Sequence, residues 1–155
     1  MLWKPNLILR FVGLTQIPMI LFARPRVIEL DASKCVVSIP FRRRTKNHLN
    51  SLYIGALVIG ADLAGGLLVL EGMRSSQQKV SLVFKDIKAD FLKRVDAQAL
   101  FTCRDGAKVS ALIEKVISSG ERHHELINVD VTAPDKYGDE VLARFTMTLS
   151  LKVKN

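Results

Sequence analysis

One carboxylate lies alone inside a long apolar run, and this run limits the possible folds more than any other part of the chain. From Leu52 to Leu70 the only ionisable side chains are the Tyr53 phenol and Asp62. A run of this length, rich in Leu, Ala and Ile, predicts a helix from Ser51 to about Gly72, with Ser51 as its N-cap. Because a buried charge without a partner is costly, we expect Asp62 to face a polar cleft or to have a shifted pKa.

Two other interpretations of this run remain open. About 20 apolar residues can span a bilayer, and small residues four apart, such as Ala56 and Gly60, are common where membrane helices pack. Against a span, an aspartate near the bilayer centre costs about 2.5–3.5 kcal/mol, and other parts of the chain alternate like the strands of a globular sheet. The second interpretation makes Asp62 a structural hydrogen-bonding group. We expect a buried core helix and no membrane span.

Glycines are frequent around Asp62 in the predicted helix. At 3.6 residues per turn, Gly55, Asp62 and either Gly65 or Gly66 fall on roughly one face. Each glycine costs about 1 kcal/mol of helix stability relative to alanine. We therefore expect a ligand or a partner helix to approach the backbone closely near Asp62.

Length and composition are those of a globular protein with a basic surface. The chain has 155 residues, of which 48% are hydrophobic and 25% charged, and this predicts one domain over residues 1–155. The formal net charge of +8 favours an anionic partner, either nucleic acid or a phosphorylated cofactor. Aromatic residues make up only 6% and are not interleaved with basic ones, which weakens the nucleic-acid alternative.

Cysteine and histidine positions argue against a disulfide framework or a metal site. Cys35 and Cys103 lie far apart in strand-like runs, so a reducing cytoplasm is the default compartment. His123 and His124 are adjacent in a predicted strand and point to opposite faces, so they cannot both bind one metal ion. We expect no metal site.

Hydrophobic periodicity predicts the remaining elements. Residues 1–22 form a helical segment with a helix from Pro5 to about Gln16, interpreted as mature sequence rather than a signal peptide, with membrane-surface association left open. Another helix is expected to be capped by Asp105 and to end near Gly120. Alternating residues predict six strands, at 26–31, 34–41, 79–91, 95–104, 121–133 and 140–153.

This element order predicts an α+β fold. An antiparallel sheet of about six strands has one apolar face, and the central helix is the most hydrophobic element available to cover it. We expect the sheet to wrap around that helix, with an extra helix at the N-terminus.

The stretch from Asn47 to Gly66 resembles the signature of the hot-dog fold acyl-CoA thioesterases, particularly the phenylacetate-pathway type. In that signature an asparagine and a short loop precede His-Gly-Gly, and an acid follows inside an apolar helix. Asn47 matches the asparagine, Tyr53-Ile54-Gly55 matches His-Gly-Gly, and Asp62 matches the catalytic carboxylate. Tyr53 replaces the family's histidine and Ile54 its first glycine. By element order, the resemblance extends over nearly the whole chain.

The resemblance implies a thioesterase that uses no cofactor apart from coenzyme A in its substrate. Asp62 would act as a general base on water or as a nucleophile, and Asn47 would position the water or the carbonyl. The Ile54 N–H, next to Gly55 at the helix N-terminus, would stabilise the oxyanion. The resemblance also implies that a second subunit completes the groove, so we expect a homodimer or a dimer of dimers.

Basic residues near this segment are the expected ligands for the phosphates of acyl-CoA, with a thioester on an acyl carrier as the other substrate form. The expected substrate-binding residues are Tyr53, Arg42, Arg43, Arg44, Lys93 and Arg94. For the arginine run, a solvated loop is the alternative. For the whole chain, the alternatives are a non-catalytic acyl or acyl-CoA binding protein of the same fold, favoured by the two departures, and a nucleic-acid-binding protein.

Overall fold

The structure is a computed structural model that describes residues 3–74 and 79–154. Within these ranges the chain forms five helices, six strands and a short 3-10 turn at Arg43–Thr45. The helices are α1 (Trp3–Thr15), α2 (Pro18–Ala23), α3 (Ile54–Gly72), α4 (Gly106–Ser119) and α5 (Pro134–Tyr137). The strands are β1 (Arg26–Leu30), β2 (Cys35–Ile39), β3 (Val80–Phe91), β4 (Ala99–Cys103), β5 (His123–Thr132) and β6 (Val141–Val153).

The six strands form one antiparallel sheet in the order β1-β2-β4-β5-β6-β3. Because side chains two apart in a strand share a face, the alternating residues of β5 and β6 give the sheet one apolar side. On that side Ile127, Val129 and Phe145 are fully buried, and α3 crosses the same side. The predicted α+β arrangement, a six-stranded sheet around a central helix, is confirmed.

The helix α3 is buried around most of its circumference, which explains why its sequence lacks a polar face. Of the described helices, it alone is long and apolar enough to cross a membrane. Just over half of that apolar window, 56%, is buried inside the protein. The apolar run therefore forms the core helix that the sequence predicts.

The start of α3 differs from the prediction. The helix begins at Ile54 rather than Ser51, and the residue at its N-cap is Tyr53, which is extended (φ −64°, ψ 140°) and makes no side-chain cap. Backbone bonds hold the preceding residues extended: Leu52 N–H donates to Val95 and Tyr53 N–H to Thr45. The prediction that Ser51 caps the helix is wrong because these distant partners override the local signal.

At two glycines of α3, side chains of the sheet rather than a ligand pack against the helix backbone. A Cβ at Gly60 would overlap the buried Phe101 ring, and one at Gly65 would lie 2.6 Å from Ile127 Cδ1. The expected close approach to the helix is real, but at these two glycines the approaching groups come from β4 and β5. Gly66 is different, since the nearest atom to an added Cβ is a Leu82 methyl at 3.6 Å.

Two smaller predictions also need correction. The fourth strand starts at Ala99 rather than at residue 95, because its partner β2 ends at Ile39, opposite Ala99, and the next residue, Pro40, cannot donate to the ladder. Asp105 occupies the N-cap position of α4 without capping it. Its carboxylate instead accepts a 2.7 Å hydrogen bond from the Asn128 N–H.

Candidate functional site

One stripe of α3 is not covered by the sheet. Positions four apart lie on one face of a helix, and along this stripe Ile54, Val58 and Leu70 are 52%, 36% and 50% exposed. Asp62 lies on the same stripe, one turn after Val58. Asp62 is thus on the accessible side of the core helix.

The Asp62 carboxylate has an apolar environment and no hydrogen-bond or ion-pair partner among the described residues. Burial raises its pKa above the usual value for an aspartate, because a low-dielectric environment disfavours the charged form. The alternative that Asp62 is only a structural hydrogen-bonding group is therefore not supported by any partner among the described residues. A carboxylate with a raised pKa at an accessible position is suited to accept a proton.

A depression of about 460 Å³ opens beside the N-terminus of α3. Its lining is mostly apolar with a few polar groups, which is the usual composition of a small-molecule site. The lining residues are Asn47, Leu49, Ser51, Leu52, Ile54, Leu57, Phe91, Leu92, Lys93, Arg94 and Val95.

Asn47 forms the loop at the edge of this depression. Its side-chain Oδ1 accepts hydrogen bonds from the Leu49 N–H at 2.9 Å and the Ser51 N–H at 3.1 Å. These bonds hold a tight loop in which Asn50 adopts a left-handed conformation, with φ of +56°. Since the carbonyl oxygen is used by the loop, the Asn47 amide NH₂ is the part of the side chain left to donate to a ligand.

Ser51, which was predicted to cap the central helix, is a polar residue of the depression. Its side chain is 7% exposed, and its Oγ is buried without a hydrogen-bond partner among the described residues. A buried hydroxyl without a partner costs free energy unless a ligand or water satisfies it. No sequence pattern distinguishes this serine from a helix cap, so only the structure shows it.

The first turn of α3, which borders the depression at Ile54, has backbone N–H groups without partners. Tyr53 O accepts from the Ala56 and Leu57 N–H groups, whereas the Ile54 and Gly55 N–H groups have no partner among the described residues. Unpaired N–H groups at a helix N-terminus stabilise negative charge. The Tyr53 ring lies against Gly55, where an added Cβ would be 2.6 Å from the ring.

The expected catalytic groups do not all meet within one chain. Ile54 and Asn47 line the depression, but Asp62 does not. Ile54 and Asp62 are eight residues apart on a helix, which separates them by about 12 Å at a rise of 1.5 Å per residue. One carbonyl group cannot contact both the Ile54 N–H and the Asp62 carboxylate of the same chain.

The basic candidates divide into two groups. Lys93 and Arg94 line the depression, although Lys93 also pairs with Glu140 at 2.9 Å. Arg42, Arg43 and Arg44 are exposed at the 3-10 turn and do not line it. The Arg44 guanidinium instead lies 5.3 Å from the centroid of the Phe22 ring of α2.

The outer strand β3 leaves an apolar surface next to the depression. Among the described residues it pairs with β6 on one side only. Ile87 and Phe91 lie opposite the buried Met147 and Ala143, so they point to the inner face of the sheet, yet they are 48% and 50% exposed. The inner face thus extends beyond the cover that α3 provides.

Cysteine and metal chemistry find no support in the described parts of the chain. Cys35 and Cys103 face each other across β2 and β4, both as buried free thiols. Burial raises the pKa of Cys35 to about 12 and that of Cys103 to about 11, so neither is a reactive thiolate. Among residues 3–74 and 79–154, no group of three His, Cys, Asp or Glu side chains could hold a metal ion.

Comparison with known proteins identifies a family and a fold. Residues 6–151 match the family described as Domain of unknown function (DUF4442). No curated protein sequence matches the chain.

Solved structures similar to this one include proteins from three bacteria. A Pseudomonas aeruginosa protein described as a probable thioesterase is 20% identical, with 97% of each chain covered and a TM-score of 0.78. A Chlorobaculum tepidum protein of unknown function is 12% identical, with 98% of this chain and 96% of that chain covered and a TM-score of 0.82. A Haemophilus influenzae thioesterase is 18% identical, with 99% and 96% covered and a TM-score of 0.65. The hot-dog fold that the sequence predicts is confirmed.

Proposed function

We propose that this chain, which belongs to the family described as Domain of unknown function (DUF4442) and has the hot-dog fold, hydrolyses an acyl thioester, with acyl-CoA as its substrate class. The observation that carries the proposal is Asp62, an accessible carboxylate without a described partner whose pKa is raised by burial. Several structures of the same fold are described as thioesterases, which supports the same class of reaction.

In the proposed reaction, Asp62 takes a proton from a water molecule as the water oxygen attacks the thioester carbonyl. The Ile54 N–H donates to the carbonyl oxygen as it gains negative charge. The C–S bond then breaks, the thiol leaves with a proton, and a carboxylic acid remains. Direct attack by the Asp62 carboxylate, followed by hydrolysis of the resulting anhydride, is the other route that these groups allow.

Ile54 and Asp62 of one chain are about 12 Å apart, so the two groups can act on one thioester if they come from different copies of the chain. In a twofold dimer with antiparallel central helices, Asp62 of one copy faces the N-terminus of α3 in the other. The uncovered stripe of α3 and the open edge of β3, with Ile87 and Phe91 exposed, supply apolar surface for this contact. We therefore propose a homodimer with two composite sites, alone or within a dimer of dimers.

The charged groups around the depression fit a coenzyme A thioester. Arg94 is exposed, and both Arg94 and Lys93 line the depression together with Ile54, so both can neutralise phosphate groups. Arg42 to Arg44 lie outside the depression of their own chain, and we propose a phosphate-binding role for them only across the dimer. Tyr53 would flank the thioester. A reducing cytoplasm remains the expected compartment.

A non-catalytic acyl-CoA binding protein is the second candidate. It is favoured by the Ile54 side chain, which lines the depression and crowds the carbonyl position more than a glycine does. Coenzyme A binding without thiol release would support this function.

The test is a panel of acyl-CoA substrates of increasing chain length, with release of the free thiol as the readout. We expect hydrolysis by the purified wild type and a loss of at least about 100-fold in kcat for Asp62→Asn. Glu71→Gln, a matched change at the C-terminal end of α3, should leave the rate unchanged.

Ile54→Pro tests the oxyanion donor. Proline is tolerated at the first helical residue, and Tyr53 already has the extended backbone that precedes a proline. The change removes the N–H and should lower kcat about 100- to 1,000-fold, whereas Ile54→Val keeps the N–H and the activity. No thiol release from any acyl-CoA by the folded wild type would contradict the hydrolase.

A further inference from the structure

The helices α1 and α2 expose an apolar surface that the rest of the fold does not cover. On α1, Leu7, Phe11 and Leu14 follow one face and are 50%, 62% and 72% exposed. On α2, Met19 and Phe22 are 63% and 59% exposed. Large side chains concentrated in this way on a surface mark an interaction site rather than scattered exposure.

The helices are attached to the fold by their opposite sides. Leu9 of α1 and Ile20 of α2 are only 5% and 4% exposed and belong to the main core. The Asn6 side chain bonds to the backbone of Val27 in β1, accepting from its N–H at 2.8 Å. The apolar outer face is thus presented by anchored helices rather than by a loose terminus.

Every exposed charge on the described residues of these helices, on the link to β1 and at the first residue of β1 is positive. Lys4, Arg10, Arg24 and Arg26 are all exposed, and the first acidic residue of the chain is Glu29. Glu29 is itself neutralised by Lys34 at 3.0 Å. The apolar surface therefore has a basic border.

The two properties meet in a second depression, of about 840 Å³, between the helices and the start of β1. Three arginines line it, Arg10, Arg24 and Arg26, together with apolar side chains such as Leu14 and Leu21. An anionic headgroup next to an acyl chain offers the complementary arrangement of charge and apolar surface.

We propose that α1 and α2 bind the surface of an anionic membrane, lying in the interface with Phe11, Leu14 and Phe22 inserted and the arginines on lipid phosphates. The 13 residues of α1 reach about 20 Å, which is too short to span a hydrocarbon core of about 30 Å. A second copy of the chain fits this surface less well, because a twofold contact would bring the same arginines against one another. The surface is distinct from the depression beside α3, so the proposal does not depend on the thioesterase activity.

The experiment is flotation of the full-length protein with vesicles of phosphatidylcholine, alone or mixed with phosphatidylglycerol. We expect binding to the mixed vesicles and weaker binding as salt is raised, since the attraction between charges is screened. Phe11→Ser combined with Leu14→Ser should abolish flotation. Removing one arginine, as in Arg10→Gln or Arg24→Gln, should weaken the partition coefficient about fivefold.

Matched controls carry the same changes elsewhere on the surface. Leu126 is 46% exposed on β5, and Arg104 is exposed after β4, so Leu126→Ser and Arg104→Gln should float like the wild type. Wild-type protein that does not float with the mixed vesicles, or apolar and arginine variants that float as well as the controls, would overturn the proposal. It would equally be overturned if Phe11→Ser converted a wild-type dimer into folded monomers, because the surface would then be a subunit contact.

Discussion

Replacing Gly60 by alanine should destabilise the protein even though alanine is the better helix former. The gain in helix propensity is about 1 kcal/mol. Against it, the new Cβ would overlap the ring of Phe101, which is fully buried in β4 between β2 and β5. Overpacking of this kind costs about 1–3 kcal/mol, occasionally more. Subtracting the gain from this cost, we expect a net loss of up to about 2 kcal/mol in the free energy of unfolding.

Gly66→Ala is the matched control in the same helix. Its Cβ would lie 3.6 Å from a Leu82 methyl, an ordinary contact, so only the backbone gain remains. We expect Gly66→Ala to stabilise the protein by about 0.5–1 kcal/mol. With a shift of about 2–4 °C per kcal/mol for a chain of this size, Gly60→Ala should melt below Gly66→Ala by up to about 12 °C.

Urea and thermal unfolding, followed by far-UV circular dichroism, measure both effects. Gly60→Ala should have a lower urea midpoint than the wild type with an unchanged m-value, and Gly66→Ala a higher one. If both variants were stabilised equally, the sheet would not press on α3 at Gly60, and the structural reason for that glycine would be wrong.

Three further predictions concern other parts of the molecule. Because burial raises the pKa of Asp62 in the folded protein, ionising this carboxyl group costs stability. The stability of Asp62→Asn relative to the wild type should therefore rise with pH above about 4 and level off above the raised pKa. Urea unfolding across this pH range measures the difference, and a difference that does not change with pH would contradict the prediction. Cys35 and Cys103, with pKa values of about 12 and 11, should resist alkylation by iodoacetamide at pH 8 until urea unfolds the chain; rapid labelling in the native state, detected by mass spectrometry, would refute their burial. Gly106→Ala should cost about 3 kcal/mol in urea unfolding, because its Cβ would meet the Ser33 backbone at 2.7 Å; a cost below that of Gly60→Ala would count against a rigid contact.

The parts of the fold that the sequence predicted correctly are those fixed by local periodicity. The alternating residues of β5 and β6 and the apolar stripe of α4 depend only on neighbours in the chain. The start of α3 and the start of β4 were predicted wrongly, because the Leu52 N–H bond to Val95 and the end of β2 at Pro40 involve residues that are distant in sequence.

The candidate site was predictable to a similar degree. The motif resemblance selected Asn47, Ile54 and Asp62, and the structure brings the first two to one depression. The resemblance could not reveal the role of Ser51, because its Oγ is recognised as buried and unpartnered only once its surroundings are known. Nor could it show that Gly60 and Gly65 accommodate Phe101 and Ile127, since these contacts form only when the sheet closes over α3.

In the proposed dimer, Asp62 of one copy and the Ile54 N–H of the other act on the same thioester. A heterodimer of one Asp62→Asn subunit and one Ile54→Pro subunit, isolated with two different affinity tags, tests it directly. One of its two sites would contain both intact groups. We expect about half of the wild-type acyl-CoA hydrolysis from this heterodimer, although each variant homodimer should be nearly inactive. A heterodimer as inactive as its two parents would contradict the composite site.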